Sequence, residues 1–134
     1  MEKSEINGAH DGRIIQCPAH KLPGRAYQRL VDNCGADANM VDDLRTCLVA
    51  GRPVCVFIKR RPVEKRFQNT NLEVLLGMPG EVFSGDEMER ISAFAGELGL
   101  DWGAIDILRD RGDGRLYVVD ANKTDMGPPV ALSL

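Results

Sequence analysis

The stretch from residue 84 to residue 99 most limits the folds open to this chain, because both ends of a helix are written into it. Ser84 and Glu87 stand at capping-box spacing, with Val82-Phe83 before them as a hydrophobic staple. Met88, Ile91, Phe94, Ala95 and Leu98 recur at helical period and predict one buried face. Gly99 follows as the left-handed C-cap residue. One amphipathic helix must bury its face on something, and the flanking segments offer strands. Upstream, residues 44–49 and 54–59 are apolar-rich runs joined by Ala50-Gly51-Arg52-Pro53, the pattern of an antiparallel hairpin. Downstream, residues 104–109 and 116–120 flank Arg111-Gly112-Asp113-Gly114, a second hairpin whose Asp-Gly pair supplies the positive-φ turn. The expected class is α+β, a mainly antiparallel sheet under a covering helix.

Elsewhere the signals are shorter. Asn7-Gly8-Ala9-His10-Asp11-Gly12 reads as a glycine-bounded loop, followed by a strand at Ile14-Ile15. Residues 26–31 read as another strand, broken by Asp32-Asn33 and Gly35. Residues 60–71 are basic and polar and read as a loop, and Gly127-Pro128-Pro129 ends regular structure. A length of 134 residues suits one compact domain. The net charge of -3 gives no positive field for nucleic acid or an anionic membrane. No run has the apolar length of a membrane span, and the polar start lacks a signal-peptide core, so a cytoplasmic setting is expected.

Cys17, Cys34, Cys47 and Cys55 form no CxxC pair, and with only two histidines a zinc site is not expected. Cys17, Cys47 and Cys55 lie in apolar runs and read as buried free thiols. His10 and His20 read as solvated or lid residues, Trp102 as a packing anchor, and Asp110 and Asp113 as solvated turn residues.

The last hairpin concentrates acid. With its turn centred near Asp113, Asp106 lies opposite Asp120, and Asn122 shares a face with Asp120. Two carboxylates facing across a ladder repel, and apolar neighbours argue against free solvation. A hard divalent cation would remove the conflict, held by two carboxylates and an amide oxygen. The alternative is that both aspartates sit at the solvated ends of an exposed hairpin.

Two runs, Gly99-Leu100-Asp101-Trp102-Gly103-Ala104-Ile105-Asp106 and Leu116-Tyr117-Val118-Val119-Asp120-Ala121-Asn122, resemble the C-terminal end of ATP-grasp enzymes. The resemblance implies that Asp106, Asp120 and Asn122 hold Mg²⁺ (or Mn²⁺) against the ATP phosphates. Many relatives carry Glu where this chain has Asp120. Further upstream, Asp43-Leu44-Arg45 with Leu48-Val49 and Gly51 is similar to a hairpin of the glutamate-ligase-like members. Arg66-Phe67 with Asn69 and Asn71 looks like their Arg-Phe-x-x-Asn stretch beside the transferred phosphate. These matches imply catalytic cations at Arg45 and Arg66.

Tyr27-Gln28-Arg29-Leu30-Val31 resembles the inter-lobe hinge. Its backbone, from Gln28 through Leu30 and Val31, would read adenine, and Asp32 or Asn33 would meet the ribose. Residues 3–12 look like the lysine strand and glycine-rich lid, with Lys3, Gly8 and Gly12 at the phosphates. On this resemblance residues 1–31 are a partial N-terminal lobe and residues 32–134 a C-terminal lobe with the metal site. The implied activity is ATP-dependent carboxylate–amine ligation through an acyl phosphate, with a small-molecule or peptide carboxylate as substrate. A kinase acting on an alcohol and a non-catalytic nucleotide-binding remnant are the alternatives. The family's usual first half-lobe would lie before Lys3, so a truncated chain, a homodimer or a completing partner is expected. Lys59, Arg60, Arg61 and Lys65 read as a solvated face with no assigned role.

Overall fold

The computed structural model describes residues 1–6 and 9–124. Gly8, expected at the phosphates, and the Gly127-Pro128-Pro129 tail lie outside the described residues.

The expected helix is present as α2 (Gly85–Leu98), and its caps are the ones the sequence specifies. Ser84 Oγ accepts from the Glu87 N–H, Glu87 answers on the Ser84 N–H, and Gly99 closes the helix at φ 65°. A four-residue helix, α1 (Pro79–Val82), leads into it, with Pro79 in the first turn where its missing N–H costs nothing.

The helices cover one face of a five-stranded sheet, in which every neighbouring pair is antiparallel. Its strands are β3 (Met40–Val49), β4 (Arg52–Pro62), β5 (Glu73–Gly77), β6 (Trp102–Arg109) and β7 (Leu116–Asn122), in the order β5-β4-β3-β6-β7. The chain is therefore α+β, as the patterning predicts. The first hairpin turns in two residues rather than four: Ala50 (φ 50°) and Gly51 (φ 69°) both take the positive φ that matches strand twist. Gly114 (φ 72°) makes the second turn as expected.

Directly opposed residues share a face, so the register sorts the side chains. Leu44, Ile58, Ile105 and Ile107 point toward the helices. They form the core with Leu48, Val56, Phe83, Ile91, Ala95 and Leu100. That burial supplies the main driving force for folding. Two helix positions expected in the core, Phe94 and Leu98, remain exposed, because the strip of α2 that meets the sheet is narrow. Trp102, expected as a packing anchor, is 62% exposed.

Several local readings need correction. Residues 60–62 extend β4 instead of opening a loop, since Arg60 pairs with Asp42 and Glu73, and Arg61 with Asp43. Ile14-Ile15 is not a strand; only an isolated bridge forms, between Arg13 and Glu2, and Ile14 is exposed. The strand expected over 26–31 is the short β2 (Arg25–Tyr27), paired with β1 (Glu2–Ser4). Beyond Tyr27 the chain is irregular. Of the four free cysteines only Cys47 is buried, and Cys17 is exposed. Asp110 is buried rather than solvated, accepting the Gly112 N–H inside the turn.

Glu2 pins the two-stranded sheet. Its buried carboxylate takes Arg13 and Arg25 together, and Arg25 also pairs with Asp11. Burial pushes the Glu2 carboxyl up, but the two arginines outweigh it and leave it below the usual range.

Candidate functional site

The face of the five-stranded sheet away from the helices is charged, and the same alternation that buries Leu44 and Ile105 puts it there. Opposed residues carry Asp43 and Lys59 across β3 and β4, Arg45 and Asp106 across β3 and β6, and Asp106 and Asp120 across β6 and β7. The Asp106–Asp120 register is the one the sequence predicts. Immediately beyond it, Ile107 pairs with Val118, so a bulge leaves Val119 unopposed beside Asp120.

A cleft of about 600 Å³ lies over this face. Its walls come from β1 and the loop after it, residues 26–33, residues 66–69 and the charged strands. The volume falls within the usual range of small-molecule sites. Nine residues singled out from the sequence line it: Lys3, Gly12, Gln28, Leu30, Val31, Asn33, Arg66, Asp106 and Asp120. Three do not. Arg45 stands behind Asp106, Asn122 reaches the site only through Asp120, and Asp32 is exposed outside it.

Asp106 is the electrostatic centre. Its Oδ2 accepts from Arg45 Nη1 at 3.1 Å and its Oδ1 from Lys59 Nζ at 3.0 Å. All three side chains are largely shielded from water. Arg45 on β3 and Lys59 on β4, one strand further across the sheet, therefore offset part of the like charge that Asp106 and Asp120 bring together. Asp120 is exposed, with Oδ1 on the Ala121 N–H at 3.0 Å and Oδ2 on Asn122 Nδ2 at 2.9 Å. Among the described residues no group of three His, Cys, Asp or Glu gathers as a metal site. The donor types of Asp106, Asp120 and Asn122 suit a hard cation. A cation there would share Asp106 with Lys59 or displace it.

Arg66 organises the cleft wall. One nitrogen, Nη2, donates to Val31 O and to Asn33 Oδ1, both at 2.9 Å, and its guanidinium lies 5.9 Å from the Phe67 ring centre. Asn33 is buried and donates to Asp42 O and to Asp43 Oδ1, each at 3.0 Å. Its amide is therefore committed to the protein, not open to a ribose. Asp32 is held below the usual carboxylate range by the Cys34 thiol and backbone N–H.

At Gln28 both peptide groups bond to Met1, at 3.0 Å and 2.6 Å. The peptide groups of Arg29 and Leu30 and the Val31 N–H have no hydrogen bond to another described residue. Gly12 is needed for close packing, since a Cβ there would sit 3.0 Å from the Phe67 ring.

Sequence reasoning passed over Lys59 and Arg61, which both line the cleft. The missed signal is the alternation Lys59-Arg60-Arg61 against Asp42-Asp43, which places Lys59 and Arg61 on one face and Arg60 on the other. Comparison of the chain with protein-family models, curated proteins and solved structures finds no match.

Proposed function

We propose that the cleft binds Mg-ATP in the manner of ATP-grasp enzymes and serves carboxylate–amine ligation. The observation that supports this most is convergence. Residues named from separate motif matches between Lys3 and Asp120 line a single cleft. Cations suited to phosphate stand on its charged side at Lys59, Arg61 and Arg66, with Lys3 on the facing strand. The open Leu30 peptide groups and Val31 N–H, at two residues that line the cleft, are backbone donors and an acceptor of the kind an adenine edge pairs with.

On this reading the protein contributes position and charge, not a nucleophile. Lys3 and Arg66 hold phosphate oxygens, Arg45 keeps Asp106 oriented, and Asp106, Asp120 and Asn122 are the groups that would hold Mg²⁺. The metal, when bound, neutralises phosphate charge. The substrate carboxylate takes the phosphoryl group and an amine then displaces it. The Asp106 ion pairs favour one second reading, a nucleotide-binding module without turnover, because they commit the central carboxylate to protein cations.

Photo-crosslinking with an azido-adenine ATP tests the site. Label on residues 28–31 is expected, and label confined to α2 would remove the proposal. Carboxylate- and amine-dependent ADP release then separates the ligase from the silent binder.

A further inference from the structure

Gln28, Leu30 and Val31 line the cleft from a segment with little backbone support. Gln28 is tied to Met1 at one end, and at the other the Val31 and Asp32 carbonyls accept from Arg66 and from the Arg111 N–H. Between these anchors the peptide groups of Arg29 and Leu30 make no hydrogen bond to another described residue. The Arg29 side chain is the polar tether there, and it reaches away from the cleft to the second hairpin. Its Nη1 donates to Tyr117 Oη at 2.9 Å, its Nη2 lies 3.4 Å from Asp110 Oδ2, and its guanidinium carbon stands 5.4 Å from the Tyr117 ring centre. Asp110 is 6% exposed, and a carboxylate so buried is costly without a cation. Its Oδ1 takes the Gly112 N–H, and Arg29, from 81 residues away, brings positive charge to Oδ2. Tyr117 stands opposite Leu108, which lines the cleft, and the same two strands carry Asp106 and Asp120.

We propose that Arg29 is a positioning residue, a latch that holds Leu30 and Val31 in place against the hairpin of Asp106 and Asp120 without itself touching the cleft's ligand. What Leu30 and Val31 bind rests on the nucleotide reading above. A planar guanidinium held at two nitrogens and beside a ring has few orientations, so residue 29 is fixed relative to β6 and β7. Backbone groups ordered in advance bind without the entropy cost of ordering the segment. The latch therefore favours the part of a ligand that meets Leu30 and Val31. It does nothing for a phosphate chain held by the cations across the cleft.

Isothermal titration of a non-hydrolysable ATP analogue and of inorganic tripolyphosphate, each with Mg²⁺, separates these two contributions. Arg29→Ala should weaken the analogue by about fivefold or more and leave tripolyphosphate within about twofold of wild type. Arg29→Lys keeps a cation for Asp110 and should recover part of the loss. Tyr117→Phe keeps the ring, removes the acceptor, and should show a smaller loss of the same kind. That variant carries the comparison if Arg29→Ala leaves Asp110 unpaired and does not fold. Equal affinity of wild type and variants for the analogue would overturn the latch and leave the nucleotide reading standing. An equal loss for analogue and tripolyphosphate would also overturn it, since Arg29 would then act through overall charge or the fold. No binding of the analogue by wild type would end both.

Discussion

Gly103→Ala should be among the most damaging single-methyl changes in the chain. Gly103 sits at the start of β6 with φ 144°, and a Cβ built there would lie 2.1 Å from Asn122 O and 3.2 Å from Leu100 Cδ1. The first contact is with backbone, so relief requires β6 and the end of β7 to part. The unfavourable φ costs about 1–3 kcal/mol. Forcing an extra methyl into a packed position adds about 1–3 kcal/mol. The sum, about 2–6 kcal/mol, corresponds to a fall in Tm of roughly 6–24 °C for a domain of this size. Gly96→Ala is the control: Gly96 lies within α2 with open space around its Cα, and the change should raise stability by about 0.5–1 kcal/mol. Thermal unfolding followed by far-ultraviolet circular dichroism measures both. A Gly103→Ala Tm within 2 °C of wild type would refute the close approach of β6 to Asn122, and with it the position of Asp120 and Asn122.

Ser84→Ala removes the N-cap acceptor of α2 and should cost about 1 kcal/mol in chemical denaturation. Glu87 is held below the usual range by its hydrogen bond to Arg109, so its contribution is present above the unfolded glutamate pKa and is lost as pH falls through the lower folded value. Glu87→Gln should therefore flatten part of the acid limb of the stability profile, and an unchanged limb would count against the pair. Arg66→Ala removes two hydrogen bonds that hold residues 31–33 against the cleft and should cost about 2 kcal/mol, with hydrogen exchange accelerated at those residues.

Features set by short-range bonds were open to reading from the sequence. Ser84, Glu87 and Gly99 define a helix through contacts a few residues apart, and the two hairpins follow from alternation and turn chemistry. The Asp106–Asp120 register came from the same logic. Strand β5 escaped because five residues ending in Leu-Leu-Gly carry no alternation, and its partner is fixed only once β4 is known to continue. The β4 extension was hidden by its charges. Lys59-Arg60-Arg61 looks solvated until Asp42, Asp43, Glu73 and Asp106 are placed around it. The surroundings of Trp102 and Phe94 depend on what covers each face, which periodicity cannot say. In the site, nine of the residues implied by resemblance line one cleft, while Arg45, Asn122 and Asp32 do not, and the cations that pair with Asp106 are evident only in three dimensions.

Isothermal titration of a non-hydrolysable ATP analogue, with and without Mg²⁺, into wild type and Asp120→Asn tests the central claim most directly. Saturable binding to wild type is expected, at least tenfold tighter with Mg²⁺, and the Mg²⁺ gain should vanish in Asp120→Asn while the apo protein melts normally. Absence of binding by wild type, or a Mg²⁺ gain of the same size in both proteins, would contradict the account.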